Sequence, residues 1–532
     1  MKENFRQFLD RLRQAGELVD LRQAVDIRHI ATLVDQSKTA LYFHNVIGYD
    51  VPVVSGIIRS KERAVMSMGC EIFGEIEHKL AAAIAKPIPP KYVNGSPTRE
   101  VVMVGDDVDL YKLPIPMSSI YDGGPMITAG VVICKDPELG YNSGIYRFIV
   151  KEKAPTGIDI VTPNNMRLFA QRAFERGEPL PISISIGVHP FEITGSGFRA
   201  PLGVDEMGIA GGLRGEAVQL APCSTIDVPY IADAEIVLEA EILPTGWTWP
   251  EGRFGEFTRL MGGLHWNPLV RIKAIAMRKD AVYYNLHMPW ENTWLAAPTR
   301  YTAIRQALKT ANVQVSDINV TLGGCAFWHA VIAIKKGAAG DGKNALLAAL
   351  SVMDLKHVVV VDDDIDINNP TDVEWAIATR VQGDKDIMIV AGARAKPLDP
   401  SLLQGAGVVP IGAKVGIDAT MPEHIPKEHY ERITYAYADT AKVDDYVKGK
   451  KDKEGKSGDG PEVAALAAKI LAAIDKEPLY YTDVAERFSE YDFRTVARAL
   501  GYLHETEKLW QDPRGKMCVR GSKFAAVLPV KK

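Results

Sequence analysis

Residues Ile182–Val188 read I-S-I-S-I-G-V, with an apolar side chain at every second position. Because successive side chains of a β-strand point to opposite faces, this alternation predicts a strand with one buried face. Similar runs, separated by turns, occur at Val131–Cys134, Tyr146–Val150, Ala234–Ile242, Val270–Met277 and Ala281–His287. One helix is expected near Met166–Arg176, and Arg278-Lys279-Asp280 indicates a hairpin turn between the last two runs. A strand-rich block of this length predicts a barrel or closed sheet, which leaves few exposed edges.

The segments on either side of this block follow other patterns. The N-terminal part predicts a small α/β domain, with an amphipathic helix that stops near Gly16, a strand at Val51–Ile58 and a helix over residues 71–86. From about residue 300, helices and strands alternate at Thr299–Ala311, Ala330–Lys335, Ala345–Val352 and His357–Val361. This alternation predicts an α/β unit with a partly parallel sheet.

The C-terminal segment begins with a stretch that cannot form a core. Lys448–Gly460 contains no apolar residue and is expected to be a flexible linker. Beyond it, helices at Val463–Ile474, Asp483–Phe488 and Phe493–Glu505, followed by a hairpin, resemble a winged-helix module. Such modules often bind DNA. The third helix carries Arg494 and Arg498 but ends among glutamates, so protein interaction or packing is favoured over DNA binding.

The bulk composition excludes several classes of protein. The chain has 532 residues, a net charge of −5 and 47% hydrophobic residues, as expected of a soluble globular protein. The chain has no overall positive charge that would indicate nucleic acid as a partner. Five scattered cysteines without a C-x-x-C pair, the absence of a signal-peptide pattern and the absence of a long apolar run predict a cytoplasmic protein with no membrane span.

The loop Trp249–Phe257 reads W-P-E-G-R-F-G-E-F and carries two carboxylates five residues apart. Its glycines permit close approach to a ligand, and its phenylalanines exclude water. Exclusion of water raises the pKa of a carboxyl group and makes it a usable general acid. Arg253 within the loop either points outward or recognises a second anion. Taken alone, a solvated charged turn explains the loop as well as a catalytic site does.

Three other motifs favour structural explanations. Gly195–Ala200 fits a dinucleotide fingerprint, but Pro201 prevents the required helix from starting there. Gly337–Asn344 nearly matches a phosphate-binding loop, yet Asn344 lacks the hydroxyl that ligates magnesium. Asp362-Asp363-Asp364 could bind a cation, but adjacent strand residues point to opposite faces, so a strand end with a turn is favoured.

The segment Asn142–Arg147 reads N-S-G-I-Y-R and begins a strand run. Asn142 and Arg147 are five residues apart, so on an extended chain they face opposite ways, unless Gly144 bends the backbone. With the motifs at 203–206 (G-V-D-E), 251–256 (E-G-R-F-G-E) and 358–366 (V-V-V-V-D-D-D-I-D), this segment forms an ordered set. Over about residues 1–440 the chain resembles the UbiD-like family of reversible decarboxylases, which use prenylated FMN.

The resemblance implies a role for each matching residue. The catalytic set would be Arg147, Glu251 and Glu256. A manganese or magnesium ion that bridges the cofactor phosphate would be bound by Asn142 and Glu206, with Asn165 at a position that is histidine in some members. The cofactor-binding residues would be Asn142, Ser143, Gly144, Ile145, Tyr146, Arg147, Asn164, Asn165 and Glu206. A potassium ion near the same phosphate is also implied.

The implied reaction explains why these residue types occur together. Loss of CO2 from an aromatic, heteroaromatic or α,β-unsaturated acid leaves a carbanion, and only an organic cofactor offers the electron sink. Arg147 would position the carboxylate, Glu251 would orient Arg147, and Glu256 would donate the proton. Phe257, Trp294 and Leu398 are pocket candidates by position. The alternatives are an ATPase centred on Gly337–Asn344 and a scaffold that acts through the C-terminal module.

The expected architecture is a multidomain α+β or α/β protein. An N-terminal α/β domain (1–110) precedes a split β-barrel that binds prenylated FMN (111–300) and an α/β oligomerisation domain (301–445). A linker (446–461) and a winged-helix-like module (462–532) follow. The expected partners are a carboxylic acid, CO2, a flavin prenyltransferase that supplies the cofactor, and further copies of the chain in a homodimer or homohexamer.

Overall fold

The computed structural model describes residues 3–161, 163–396, 398–402 and 410–527. The chain forms two compact units, Met1–Thr420 and Met421–Lys532. The α-helices among the described residues are α1 (Phe5–Gln14), α2 (Ile30–Gln36), α3 (Lys61–Ser67), α4 (Phe73–Ala85), α5 (Asn165–Glu175), α6 (Pro190–Ser196), α7 (Glu206–Arg214), α8 (Trp290–Thr310), α9 (Asp341–Leu350), α10 (Pro370–Arg380), α11 (Val443–Val447), α12 (Gly460–Lys476), α13 (Tyr481–Arg487) and α14 (Phe493–Glu505).

The strands are β1 (Leu18–Val25), β2 (Ala40–Val46), β3 (Val53–Ser55), β4 (Lys91–Tyr92), β5 (Val101–Val104), β6 (Met126–Asp136), β7 (Gly140–Ile149), β8 (Pro155–Gly157), β9 (Leu180–Ile186), β10 (Gln219–Pro222), β11 (Pro229–Ile231), β12 (Ile236–Ile242), β13 (Trp249–Glu251), β14 (His265–Asn267), β15 (Leu269–Met277), β16 (Tyr283–Asn285), β17 (Val315–Val320), β18 (His329–Ile334), β19 (His357–Asp362), β20 (Ile387–Arg394), β21 (Ile411–Ala419), β22 (Leu509–Gln511) and β23 (Met517–Val519).

The N-terminal part forms the predicted small α/β layer. Asn4 caps α1 through a reciprocal capping box with Gln7, and the apolar face of α1 is buried. The sheet beside it has the order β1-β2-β3-β16, with parallel pairs at both ends and an antiparallel pair in the middle. A strand from residue 283 onward therefore completes a sheet that starts at residue 18.

The predicted hairpin at Arg278-Lys279-Asp280 is wrong. β15 pairs with β5, β8 and β12, whereas β16 pairs in parallel with β3 of the N-terminal sheet. Both segments are strands as expected, but side-chain alternation reports which residues are extended and not which strand they join. The short connection instead carries the chain from one sheet to another.

The strand-rich block forms an antiparallel sheet of order β5-β15-β12-β9-β6-β7. At its far end, Val150 bridges to Thr156, and β8 pairs with β15 near the start of the order. The ladder thus returns towards its own first strands, which agrees with the expected split barrel. β9, which contains the alternating sequence I-S-I-S-I, lies in the middle of this sheet and is almost entirely buried.

The region after residue 300 contains the predicted partly parallel sheet, of order β17-β18-β19-β21-β20. The pairs β18-β19 and β19-β21 are parallel, and both edge strands are antiparallel. Helix α8 begins at Trp290, nine residues earlier than predicted, and continues through Pro298. The buried carboxylate of Glu291 fixes its first turn by accepting the N–H groups of Gly56 and Ile58.

The second unit has the predicted three helices and hairpin, α12 to α14 with β22 and β23. Its own core includes Leu466, Ile470, Val496 and Leu500. The polar stretch before α12 contacts the module at more than one point: Lys456 forms an isolated bridge with Tyr491, and the N–H of Gly458 donates to Oγ1 of Thr495 at 3.0 Å. Among the described residues, no helix is both long and apolar enough to cross a membrane.

Candidate active site

Arg147 lies on β7, at an irregularity of the central sheet. The register between β6 and β7 shifts between the pairs Ile127–Phe148 and Gly130–Tyr146, so an extra residue of β6 lies opposite Arg147. Gly144 does not supply the bend that the sequence suggested, because β7 continues through it. A Cβ at Gly144 would instead lie 2.6 Å from the ring of Tyr146, so glycine leaves space for that ring.

Three carboxylates surround the guanidinium of Arg147. Nη1 lies 2.6 Å from Oε1 of Glu256, while Nη2 lies 3.1 Å from Oε2 of Glu251 and 2.6 Å from Oδ2 of Asp159. Nε is 3.3 Å from both oxygens of Glu251. The structure therefore brings together the three predicted residues. The prediction paired Arg147 with Glu251, whereas in the structure both glutamates contact Arg147. The Phe254 ring covers the cluster, 4.9 Å from the guanidinium carbon.

Sequence reasoning missed Asp159 and His265. Nδ1 of His265 lies 3.5 Å from Oδ1 of Asp159, and His265 pairs with Glu251 across the two-stranded sheet β13-β14. Asp159 belongs to a segment without regular secondary structure, so no periodic pattern marked it. The one available signal was its place between β8 and α5, close in sequence to the motif residues at 164 and 165.

Burial and charge act in opposite directions on these groups. Burial raises the pKa of Glu251 and of Glu256, although the charge of Arg147 opposes the change. Burial also disfavours ionisation of Asp159, but its interactions with His265 and Arg147 outweigh burial and lower its pKa to about 2. Contact with Asp159 raises the pKa of His265. The glutamates, and not Asp159, are therefore the carboxyl groups whose protonated form the site favours.

The loop that carries both glutamates is tightly constrained. Gly252 has φ 104°, and a Cβ there would lie 2.5 Å from the carbonyl oxygen of Gly263. The N–H of Gly262 donates to the carbonyl oxygen of Phe254 at 2.8 Å. Arg253 is exposed, with its guanidinium 5.9 Å from the ring of Tyr121, so it points outward and away from the glutamates.

Glu206, one of the residues predicted to bind a metal, lies at the start of α7. The carboxylate of Glu206 accepts the N–H of Ser143 at 2.8 Å, and Ser143 Oγ lies 3.4 Å from Ser196 Oγ. Glu206 is buried and forms no ion pair with any residue that the structure describes, and burial raises its pKa to about 7. A buried carboxylate without a cation fits a metal ion, which would restore its charge.

The remaining predicted cofactor residues have further contacts. Nδ2 of Asn142 lies 3.8 Å from Sγ of Cys134, and Nδ2 of Asn165 donates to the carbonyl oxygen of Ala200 at 3.4 Å. Asn164 caps α5 by accepting the N–H of Arg167 at 2.8 Å. In the described part of the chain, no group of three His, Cys, Asp or Glu side chains is placed to bind a metal. The predicted metal-binding set differs from such a group, because it contains one carboxylate, that of Glu206, and the amides of Asn142 and Asn165.

The pocket candidates separate into two places. Phe257 stacks on Phe327 at 4.0 Å and packs in one cluster with Leu398. Trp294 instead packs against Phe73, with ring centroids 5.5 Å apart. Sequence reasoning also missed two cations at the aromatic cluster. Arg300 and Lys396 share the carboxylate of Asp354, at 2.8 and 3.2 Å, and both lie against the Phe327 ring.

Two of the three motifs with structural explanations, Gly337–Asn344 and the aspartate triple, make contacts within the protein. Oδ2 of Asp341 accepts the N–H groups of Gly337 and Ala338, which a phosphate would need in a phosphate-binding loop. Lys343 donates to the carbonyl oxygen of Lys385 at 2.7 Å. In the aspartate triple, Asp362 and Asp364 both contact Arg380. The strand-end interpretation of the triple is therefore supported by its contacts.

Three family models match consecutive parts of the chain. They are the N-terminal domain, the Rift-related domain and the C-terminal domain of 3-octaprenyl-4-hydroxybenzoate carboxy-lyase (UbiD), at residues 9–81, 91–289 and 293–419. The anhydromevalonate phosphate decarboxylase of Methanothermobacter thermautotrophicus is 35% identical over 432 residues, which cover 81% of this chain and 99% of that protein.

Solved structures of one enzyme, HmfF from Pelotomaculum thermopropionicum, have the same fold. Its complex with FMN gives a TM-score of 0.78 at 38% identity, covering 84% of this chain and all of that one. An evolved dimeric form of this enzyme, in complex with prenylated FMN, gives a TM-score of 0.75 at 36% identity, covering 83% of this chain and 99% of that one. By its family models, its relatives and its fold, the chain belongs to the UbiD family of carboxy-lyases and is a decarboxylase.

Proposed function

We propose that this protein catalyses the reversible, non-oxidative decarboxylation of an aromatic, heteroaromatic or α,β-unsaturated carboxylic acid with prenylated FMN. The observation that carries the proposal is the contact of Arg147 with both Glu251 and Glu256 in a buried site. A guanidinium binds a carboxylate through two parallel hydrogen bonds, and a buried glutamate with a raised pKa returns a proton.

Each of the three residues has a separate task. Arg147 binds the substrate carboxylate and orients it. Glu251 contacts Nε and Nη2 of Arg147 and is fully buried, so it fixes the guanidinium plane. Glu256, at Nη1, delivers the proton to the carbon that loses CO2. Phe254 and Phe257 keep water from the site, which strengthens these electrostatic interactions.

The bound cofactor supplies the electron sink that no side chain offers for the carbanion left by CO2. Glu206, Asn142 and Asn165 would bind a Mn²⁺ or Mg²⁺ ion at its phosphate, since oxygen ligands suit these hard cations. Ser143 and Ser196 add hydroxyl groups beside Glu206. A potassium ion at the same phosphate and a separate flavin prenyltransferase as the source of the cofactor complete the proposal.

The rest of the substrate is expected to contact the cluster of Phe257 and Phe327. Arg300 and Lys396 adjoin this cluster with one shared carboxylate, so the site also suits an acid with a second anionic group. The relatives act on anhydromevalonate phosphate, whose name includes such a group. The test panel should therefore contain monocarboxylic aromatic acids, dicarboxylic acids and phosphorylated unsaturated acids.

The experiment uses protein purified from cells that also express a flavin prenyltransferase. Mass spectrometry follows the loss of CO2 from each acid of the panel, with Lys343→Ala as the control variant. We expect turnover of at least one acid, equal in the wild type and the control. An ATPase centred on Gly337–Asn344 would instead show ATP hydrolysis that Lys343→Ala abolishes.

Light scattering of the same sample tests the proposed homodimer or homohexamer.

A further inference from the structure

The guanidinium of Arg147 has two edges with different partners. Its Nε and Nη2 atoms are bound by Glu251 and Asp159, with Asp159 at 2.6 Å from Nη2. Its Nη1 atom is bound by Glu256, at 2.6 Å. Glu251 makes contacts through Nε and Nη2, whereas Glu256 has one contact with the arginine. Glu256 is therefore the more easily replaced of the two glutamates.

Negative charge exceeds positive charge at this site. Three carboxylates, of Glu251, Glu256 and Asp159, face the cations Arg147 and, when protonated, His265. Asp122 is a further carboxylate within the electrostatic reach of Arg147, although it accepts the N–H groups of Ser118 and Ser119. A substrate carboxylate would add one more negative charge. Ionised carboxylates that share one buried site repel each other, so one of them must become protonated.

We propose that the substrate carboxylate replaces Glu256 at Nη1 of Arg147, and that the released Glu256 then takes up one proton from solvent. The proposal rests on the function proposed above, in which the ligand of Arg147 is a carboxylate. Asp159 and Glu251 are positioning residues that keep the opposite edge of the guanidinium occupied. Binding of the substrate thus protonates the general acid that the reaction needs.

The proton count closes over one turnover. The bond to the carboxylate carbon breaks and its electron pair remains with the substrate carbon. The proton on Glu256 then forms the new C–H bond, and CO2 leaves. Glu256, again ionised, returns to Nη1 of Arg147. One proton from solvent and one carboxylate are consumed for each CO2 and each protonated product.

The choice of Glu256 follows from the surroundings of the three carboxylates. Asp159 interacts with both His265 and Arg147, which lower its pKa to about 2 and keep it ionised. Glu251 is fully buried against Arg147 and pairs through its backbone with His265. Beside Glu256 lies Gly262, where a Cβ would approach Oε1 to 3.0 Å, so glycine gives that carboxylate room to leave.

Calorimetry with benzoate as the probe tests the exchange at the binding step, with mass spectrometry verifying that benzoate loses no CO2 under the same conditions. Titrations of the cofactor-loaded full chain at neutral pH, in two buffers of different ionisation enthalpy, give the number of protons taken up. We expect close to one proton per benzoate for the wild type. Between the pKa of Glu256 in the free enzyme and the higher pKa of the released Glu256, the Kd of benzoate should rise about tenfold per pH unit, because binding is coupled to one proton.

Variants identify the group that takes up the proton. Glu256→Gln should bind benzoate with no proton uptake and a flat pH dependence, whereas His265→Gln should keep the uptake. Asp364→Asn, at the distant Arg380 pair, is the matched control and should behave as the wild type. Uptake that persists in Glu256→Gln, uptake lost in His265→Gln, or a wild type that takes up no proton or fails to bind benzoate would overturn the exchange. A failed acid panel beside normal proton uptake would refute the proposed function alone.

Discussion

Two arginines of the first unit each contact more than one carboxylate, yet the two sites differ in the burial of those carboxylates. Arg380 contacts Asp362 and Asp364, whose side chains are 14% and 35% exposed, and Lys336 lies 4.0 Å from Asp362. Arg147 contacts three carboxylates, and the one at Glu251 is fully buried. At the first cluster, water reaches about a third of the Asp364 side chain, whereas the second places three carboxylates around one arginine and buries Glu251 completely.

The difference separates a structural ion pair from a site that can move a proton. Asp362 and Asp364 fasten the end of β19 to α10 through Arg380. Burial raises the pKa of Glu251 and of Glu256 at the Arg147 site, so these two carboxyl groups hold a proton more readily than an exposed glutamate does. The length of an acidic motif does not tell a structural site from a proton-transfer site, since Asp362 and Asp364 of a run of three aspartates form the structural cluster.

Removal of each arginine is the strongest test of this comparison. Arg147→Met should lower the free energy of unfolding by about 3–5 kcal/mol, because it leaves buried carboxylates unpaired. Arg380→Met should cost about 1–3 kcal/mol, since water reaches its partners. Denaturant unfolding at pH 8 measures both. With Arg147 absent, the native state binds more protons than the unfolded state, so its deficit should shrink as pH falls. Equal losses at all pH values would break the comparison.

Glu206 extends the comparison to a buried carboxylate without a protein cation. Glu206→Ala should remove metal and flavin together, with metal affinity reduced at least about tenfold. Elemental analysis and the flavin absorbance of the purified protein measure the two. Asp205→Asn is the matched control, because Asp205 caps α7 by accepting the N–H of Met207 at 2.9 Å, which asparagine can also accept. A Glu206→Ala protein with full metal and flavin content would refute the ligand assignment.

Asp159 should show its role in the acid range. Its pKa of about 2 lies below the ordinary value, so its ionised form contributes stability above about pH 4, and this is lost as pH falls towards 2. The contribution is about 2 kcal/mol. Acid unfolding curves of Asp159→Asn should therefore lack this part of the pH dependence, whereas Asp364→Asn should retain it. An unchanged acid limb in Asp159→Asn would contradict the assignment.

The smallest effect should come from the unit that contains neither arginine cluster. Both clusters lie in Met1–Thr420, and the relative with 99% coverage matches 81% of this chain. Deletion of residues 446–532 should therefore leave flavin content and turnover unchanged. The absorbance spectrum and CO2 release of the shortened protein measure this. Loss of the flavin on deletion would show that the tail takes part in the site.

Local patterns predicted the elements well and their partners poorly. The alternation in Ile182–Val188 located β9, and the capped apolar face located α1. The partner of β16 could not be predicted, since extended residues look alike whichever sheet they join. The same limit applies to Asp159, which reaches Arg147 from an irregular segment that no periodicity marks.

The site itself was predictable only through the resemblance. Arg147 and the two glutamates are about a hundred residues apart in sequence, and sequence spacing alone cannot bring them together. Their excess charge also could not be foreseen, because it depends on Asp159 and on burial. The cations Arg300 and Lys396 were missed for a related reason, since they come from a helix and a loop that meet only in the fold.

Deuterium incorporation during turnover tests the central claim, that Glu256 beside Arg147 returns the proton after CO2 loss. The cofactor-loaded enzyme acts in D2O on an acid identified by the panel, and mass spectrometry measures CO2 and the label in the product. We predict one deuterium per product in the wild type and a rate about 10²–10⁴-fold lower in Glu256→Gln, with the flavin still bound. A Glu256→Gln enzyme that forms labelled product at the wild-type rate would contradict the claim.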